Sequence, residues 1–81
     1  MDKPWSRSVT LALEGPGKYT TITNTVEASW AMIEDWPLDD APLLTRALDI
    51  CAAVAEGKKQ PEDARKAFLA AVAEAEIHVQ E

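Results

Sequence analysis

The chain has 81 residues, 47% hydrophobic and 27% charged, which is the ordinary composition of one small globular domain, here residues 1–81 with an ordered core at about 7–77. Its 14 acidic and 8 basic side chains give a formal charge of −6, which disfavours binding to nucleic acid or to an anionic membrane. One cysteine excludes an internal disulfide and no apolar run is long enough for a membrane span, so we expect a cytoplasmic protein.

The first predicted element is a β-hairpin. Residues 7–13 alternate in polarity, with Val9, Leu11 and Leu13 on one face, which predicts a half-buried strand. The glycine-rich residues 14–18 predict a turn, and the β-branched residues 19–23 predict a second strand. Because a hairpin alone is marginally stable in water, we expect its apolar face to pack on helices.

A helix is predicted at residues 25–35. Asn24 stands three residues before Glu27, the spacing of a capping box. Pro37 ends the helix because the residue before a proline avoids helical angles. We predict that the core face of this helix consists of apolar residues at helical spacing, namely Val26, Trp30 and Ile33.

Residues 42–56 predict the helix around which the other elements pack. Asp40 is its expected N-cap, and Gly57 is its expected left-handed C-terminal residue. Cys51 lies in the middle of the helix, so we interpret it as a core residue rather than a nucleophile. The apolar positions cover roughly 160° of the helix, wider than one neighbour needs; they are Leu43, Leu44, Ala47, Leu48, Ile50, Cys51, Val54 and Ala55.

A third helix is predicted at residues 61–75, with Pro61 in its first turn. Its inner face consists mainly of alanine, which allows a second helix to approach closely, and Phe68 is the one large anchor. Leu69 falls outside this face.

The C-terminal tail has two interpretations, because Ile77 and Val79 either fray or add a third strand to the hairpin. The predicted fold class is therefore α+β: an N-terminal β-hairpin packed on a three-helix layer, with a short C-terminal strand as the open alternative.

A series of features runs in order along residues 7–77 after the early strands: Glu27-Ala28, Trp36-Pro37, then Ala47, Cys51 and Gly57, then Ala64-Arg65, Ala67-Phe68 and Ala71. Together they resemble the small bacterial family catalogued as domain of unknown function 982. The resemblance implies no activity, cofactor or catalytic residue, because none is established for that family. The family often has basic residues and a glycine after its Trp-Pro, whereas residues 39–42 are Asp-Asp-Ala-Pro, so an anion-binding role for this loop is not expected.

No motif for catalysis, cofactor binding or metal binding is recognisable. One cysteine and the single His78 do not form a zinc motif, and Gly15 and Gly17 lie in a hairpin turn without a following helix. The acidic residues around Trp36 are interpreted as helix-end and solvated residues rather than as cation ligands. We therefore expect no catalytic residue, no cofactor and no metal.

Non-covalent association is the function that these observations favour. Tryptophan is prominent where proteins bind one another, and two arginines project from the flanks of their helices. We predict a non-enzymatic protein-interaction module that binds itself as a homodimer or binds another protein. The alternative is a small-molecule-binding protein or minor enzyme with a pocket between hairpin and helices, using Arg46, Arg65 or Cys51. The candidate partner surface consists of Trp5, Trp36, Leu69, Arg46 and Arg65.

Overall fold

The computed structural model describes residues 4–13, 15 and 17–80, and this part of the chain has an α+β fold. The predicted fold class is confirmed. The predicted turn falls partly on Glu14 and Pro16, which lie outside the described residues, as do residues 1–3 and Glu81. The elements in chain order are β1 (Pro4–Leu11), β2 (Thr20–Asn24), α1 (Thr25–Glu34), α2 (Pro42–Ala55), α3 (Pro61–Glu74) and β3 (Val79–Gln80).

The strands form one antiparallel sheet in the order β2-β1-β3. Val9 of β1 pairs with Ile22 of β2, and Leu11 of β1 pairs with Val79 of β3. Of the two interpretations of the C-terminal tail, the third strand is therefore the one that the structure shows. It pairs with the edge of β1 that a two-stranded hairpin leaves open, so the edge strands of the described sheet are β2 and the two-residue β3.

Strand β1 begins at Pro4 and ends at Leu11, rather than covering the predicted residues 7–13. The ladder to β2 is irregular between Pro4 and Val9. Trp5 and Val9 are buried while Arg7, which shares their parity, is exposed. Because this irregularity breaks the alternation of polarity, the sequence pattern does not mark the first residues of the strand.

The core lies between the sheet and the three helices. Helix α2 packs against both α1 and α3, as its wide apolar arc predicted, and Cys51 is buried within it, which confirms its interpretation as a core residue. Phe68 has no exposed surface, and its ring centroid lies 5.7 Å from that of Trp5 and 5.6 Å from that of Trp36. The buried apolar cluster is Trp5, Val9, Leu11, Ile22, Ala28, Ala31, Met32, Ala41, Leu44, Ala47, Cys51, Ala64, Phe68, Ala71 and Val72.

Helix α2 is capped by another helix rather than by its own preceding residue. Its N-cap is Ala41, which has no side-chain acceptor, and the prediction of Asp40 as the cap is wrong. The carboxylate of Glu74, the last residue of α3, accepts the N–H of Leu43 at 3.1 Å and that of Leu44 at 3.2 Å. Its negative charge also interacts favourably with the helix dipole. The end of α3 therefore stabilises the beginning of α2.

Helices α2 and α3 end in the same way, in a Schellman arrangement whose two N–H groups donate back to carbonyls of the last turn. Gly57 occupies the left-handed position after α2 with φ of 79°, as predicted. The equivalent position after α3 is Glu76, with φ of 56°. Because a side chain in this region costs roughly 1–2 kcal/mol, Glu76 is a strained residue that glycine would relieve.

We expect Glu76→Gly to raise the free energy of unfolding by about 1 kcal/mol, measured by urea denaturation. Glycine removes the steric cost of the left-handed backbone, and the substitution also removes a negative charge from the negative end of the α3 dipole. Glu76→Ala is the control, because it removes the charge but keeps the Cβ atom. Equal stabilities for the two variants would show that strain at this position is negligible.

Candidate docking surfaces

Trp5, the first of the predicted partner-surface residues, lies in the core. It is 7% exposed, and its indole N–H donates a hydrogen bond to the Thr25 hydroxyl oxygen at 3.1 Å. Trp5 is therefore buried rather than exposed, and its place in a partner surface stays a prediction that this burial does not favour. The physical reason is that β1 extends back to Pro4 and so directs the Trp5 side chain against Phe68.

Trp36 and Leu69 line the edge of the core. Both are half-buried and pack against the buried cluster, Trp36 through the ring of Phe68. The indole N–H of Trp36 is buried and has no hydrogen-bond acceptor in the described part of the chain. A partner-binding role for these two side chains stays a prediction, whereas their contribution to packing is direct.

The two predicted arginines have different surroundings. Arg65 is half-buried; its Nε donates to the backbone oxygen of Arg7 at 3.0 Å, and its guanidinium pairs with Glu62 at 3.3 Å. The hydrogen bond to Arg7 joins α3 to the irregular part of β1, so Arg65 stabilises the packing of α3 against the sheet. Arg46 is exposed and lies on α2 beside a groove. The structure therefore does not bring the five predicted residues together as one surface.

A groove with a volume of about 420 Å³ lies between α2 and α3, and is named here the α2/α3 groove. Residues of α2 spaced at three and four positions form one wall, and residues of α3 with the same spacing form the other. The short connection through Gly57 places the two helices side by side. The lining residues are Leu43, Arg46, Ile50, Lys59, Asp63, Lys66, Ala67 and Ala70.

The α2/α3 groove is basic although the chain carries a formal charge of −6. Three of the 8 basic side chains line it, namely Arg46, Lys59 and Lys66. None of the three has an ion-pair partner within 4.0 Å among residues 4–13, 15 and 17–80. The acidic lining residue Asp63 accepts the N–H of Gln60 at 2.9 Å as part of the α3 cap. Three cations against one carboxylate leave the groove with a net positive formal charge, which together with its apolar lining residues suits an anionic partner with an apolar face.

The second surface is on α1, whose orientation is the reverse of the prediction. Val26, Trp30 and Ile33, the expected core face, are 48%, 57% and 64% exposed, so the prediction that they are buried is wrong. We name these three residues the α1 outer face. The buried side instead consists of small or slender side chains, which let α1 approach the sheet and α2 closely. They are Thr25, Ala28, Ala31 and Met32.

Acidic residues flank the α1 outer face. Glu27, Glu34 and Asp35 line a depression between β2 and α1 to which Trp30 also contributes. The Glu27 carboxylate accepts hydrogen bonds from the N–H and the hydroxyl of Thr23, both at 2.7 Å. The Thr23 N–H, and after it the hydroxyl, lower the pKa of Glu27 below its ordinary value of 4.5. The Glu27 carboxylate therefore keeps its negative charge to a lower pH than an ordinary glutamate does.

We expect protonation of Glu27 to lower the free energy of unfolding in acid. Its pKa is lower in the folded state, so its stabilising contribution is present above pH 4.5 and is lost as the pH falls through the folded-state pKa. Urea denaturation at several pH values between 7 and 3 measures this loss, and Glu27→Gln will show a smaller one. Glu34→Gln controls for removing a negative charge from the same helix. Identical profiles for the two variants would contradict the prediction.

Sequence reasoning identified Arg46 but recognised neither of these surfaces as a whole. The signal for the α2/α3 groove is a pattern that two consecutive helices share. Each helix carries a basic residue at helical spacing from apolar residues, and a short connection joins the two helices. The signal for the α1 outer face is a second stripe, Thr25, Ala28 and Met32, that also has helical spacing and fits a close helix contact. Both signals require knowing which elements are neighbours.

The described part of the chain provides no basis for a metal site. Within residues 4–13, 15 and 17–80, no three His, Cys, Asp or Glu side chains come together as metal ligands. His78 is exposed and its ring packs against that of Tyr19, with centroids 6.3 Å apart. Over the same residues, no helix has both the length and the apolar character that crossing a membrane demands.

The chain matches a protein-family model over residues 7–79, nearly its whole length. That family is described as "Protein of unknown function (DUF982)", a description that names no activity, ligand or partner. The match confirms the resemblance inferred from the order of motifs along the sequence. No curated protein and no solved structure matches the chain.

Proposed function

Since this chain belongs to the DUF982 family of proteins of unknown function, we propose its function from the surfaces of its fold: it is a non-enzymatic module that associates with a second copy of itself. The observation that supports this proposal is the α1 outer face. Trp30 and Ile33 are more than half exposed on a regular helix, 57% and 64% respectively. Tryptophan is enriched among the residues that dominate binding energy, and an apolar helix face is a recurring means of docking.

A protein partner fits the α1 outer face better than a small molecule does. The face is a helix surface, whereas small-molecule pockets enclose most of their ligand. The alternative of a ligand pocket between hairpin and helices relied on Arg46, Arg65 and Cys51. Arg65 is engaged by Arg7 and Glu62, Cys51 is 2% exposed, and Arg46 lines a groove between two helices instead. These placements favour association over the alternative.

We further propose a cytoplasmic location. The one thiol, Cys51, lies in the core of α2, where it packs as a small apolar side chain and needs no disulfide partner. A chain whose single cysteine is buried in its core forms no internal disulfide and is suited to a reducing compartment. The net charge of −6 supports partners other than nucleic acid.

Sedimentation velocity at increasing protein concentration tests the proposed self-association. We expect the weight-average sedimentation coefficient of the wild type to rise between about 10 and 500 μM, the range expected for one small interface. Trp30→Ser will remain monomeric throughout. It will stay folded with a loss of about 1–2 kcal/mol, because more than half of the replaced side chain is in solvent and only the remainder packs on the protein.

Leu38→Ser is the matched control, since Leu38 is 37% exposed and belongs to neither surface. It will associate like the wild type. A wild-type protein that stays monomeric over the whole concentration range would overturn the proposed function. Equal loss of association in the Leu38 and Trp30 variants would show that the α1 outer face is not the contact.

A further inference from the structure

We propose that the α2/α3 groove of one copy binds the α1 outer face of the next, so that copies of this chain associate head to tail. This inference rests on the proposed function and identifies the second half of its interface. Three observations carry it: the spacing of the exposed residues on α1, the form of the groove, and the opposite charges of the two surfaces.

The shapes of the two surfaces match. A helix that docks in a groove presents anchors at positions i, i+4 and i+7, and Val26, Trp30 and Ile33 have that spacing. The groove volume of about 420 Å³ accommodates the indole of Trp30 together with the side chain of Ile33. Side chains from both α2 and α3 supply apolar surface along its floor, where desolvation of the indole is favourable.

The charges of the two surfaces are opposite. Glu27, Glu34 and Asp35 flank the α1 side, and the groove carries three cations without an ion-pair partner among the described residues. Two copies with a formal charge of −6 each repel one another, so association requires local complementarity. A symmetric contact between two α1 outer faces would instead bring carboxylates together, which disfavours that arrangement.

A contact between two different surfaces has a consequence for assembly. Each copy keeps one unused α1 outer face or one unused groove after it binds a neighbour, so growth continues to an open chain or closes as a ring. A copy with only one working surface instead caps the assembly. Two variants that each lack a different surface will therefore bind one another and stop at a heterodimer.

This expectation gives a complementation experiment. One variant is Trp30→Ser, which loses the α1 outer face and keeps the groove. The other is Lys59→Glu with Lys66→Glu, which reverses the charge of the groove and keeps the α1 outer face. Each alone will be monomeric at concentrations where the wild type associates, with at least a tenfold weaker self-association constant. Their equimolar mixture will form a 1:1 complex and no larger species, as measured by sedimentation velocity with one variant fluorescently labelled.

The matched control is Lys18→Glu with Lys58→Glu, which makes the same change in net charge on exposed lysines outside the groove lining. It will associate more strongly than the groove variant. Circular dichroism melting of every variant verifies folding, and all substituted side chains are exposed.

The outcomes separate the two proposals. Wild-type association in the groove variant, together with loss in Trp30→Ser, overturns the groove as the counterpart and leaves the proposed function standing. If the two variants are folded and monomeric but fail to bind one another, the head-to-tail arrangement is wrong. It is also wrong if the Lys18→Glu, Lys58→Glu control loses as much self-association as the groove variant does. A monomeric wild type overturns the proposed function itself.

Discussion

Replacing Phe68 with alanine will lower the free energy of unfolding by roughly 3–5 kcal/mol. This loss is comparable to the whole stability of a domain of this size, so a large part of the protein will be unfolded at 25 °C. Phe68 has no exposed surface, and its ring contacts those of Trp5 and Trp36. The cavity cannot close by movement of Trp5, because its indole is fixed by the hydrogen bond to Thr25.

Urea denaturation followed by circular dichroism at 222 nm measures the effect of Phe68→Ala without depending on the fluorescence of the adjacent tryptophans. Leu69→Ala is the control on the same helix, and because Leu69 is half-buried its loss will be less than half as large. Phe68→Leu keeps most of the volume and will lose about 1 kcal/mol. A loss below about 1.5 kcal/mol for Phe68→Ala would show that the core is not centred on this ring.

Thr25→Val will lower the free energy of unfolding by about 1–3 kcal/mol, although the two side chains have nearly the same shape. Thr25 is 3% exposed and Trp5 is 7% exposed, so the indole N–H loses its acceptor and water does not replace it. The cost is that of leaving a buried donor unsatisfied. Equilibrium denaturation in urea measures it.

A double-mutant cycle isolates this hydrogen bond from the packing of Thr25. In the background of Trp5→Phe, which has no N–H group, Thr25→Val will cost at least 1 kcal/mol less than in the wild type. Thr25→Ser retains the hydroxyl and will lose only the contribution of the methyl group. If Thr25→Val costs the same in both backgrounds, the hydrogen bond contributes nothing to stability.

Elements specified by local interactions were predictable from the sequence. Asn24 caps α1, since its side-chain oxygen accepts the Glu27 N–H at 2.8 Å three residues away. Gly57 ends α2 in the left-handed conformation, and the wide apolar arc of α2 packs on two neighbours. Each of these features depends on residues close together in the sequence, which is why pattern and spacing suffice.

The orientation of α1 was not predictable in this way. Both the stripe through Trp30 and the stripe through Ala28 have helical spacing, and the larger side chains favour the first. The structure buries the second, because Thr25 accepts a hydrogen bond from Trp5, which lies 20 residues earlier. The position of Trp5 depends in turn on the irregular ladder of β1. Contacts between distant residues therefore determine which apolar face becomes surface.

The candidate site was predictable only in part, for the same reason. Arg46 was chosen as an exposed helix-flank residue, and it does line the α2/α3 groove. Lys59 and Lys66 belong to other parts of the chain, and only the packing of α3 beside α2 brings them to it. Charge that is scattered in the sequence is thus concentrated by the tertiary structure.

The hydrogen bonds from the first turn of α2 to the Glu74 carboxylate affect hydrogen exchange at the beginning of α2. The first amides of a helix ordinarily exchange their hydrogens with solvent by fraying, at little cost in free energy. Here the Leu43 and Leu44 amides donate to the Glu74 carboxylate, so they exchange only after this carboxylate moves away from them. Their exchange will therefore be slower than that of an uncapped first turn, and it will depend on how often the C-terminal end of α3 frays.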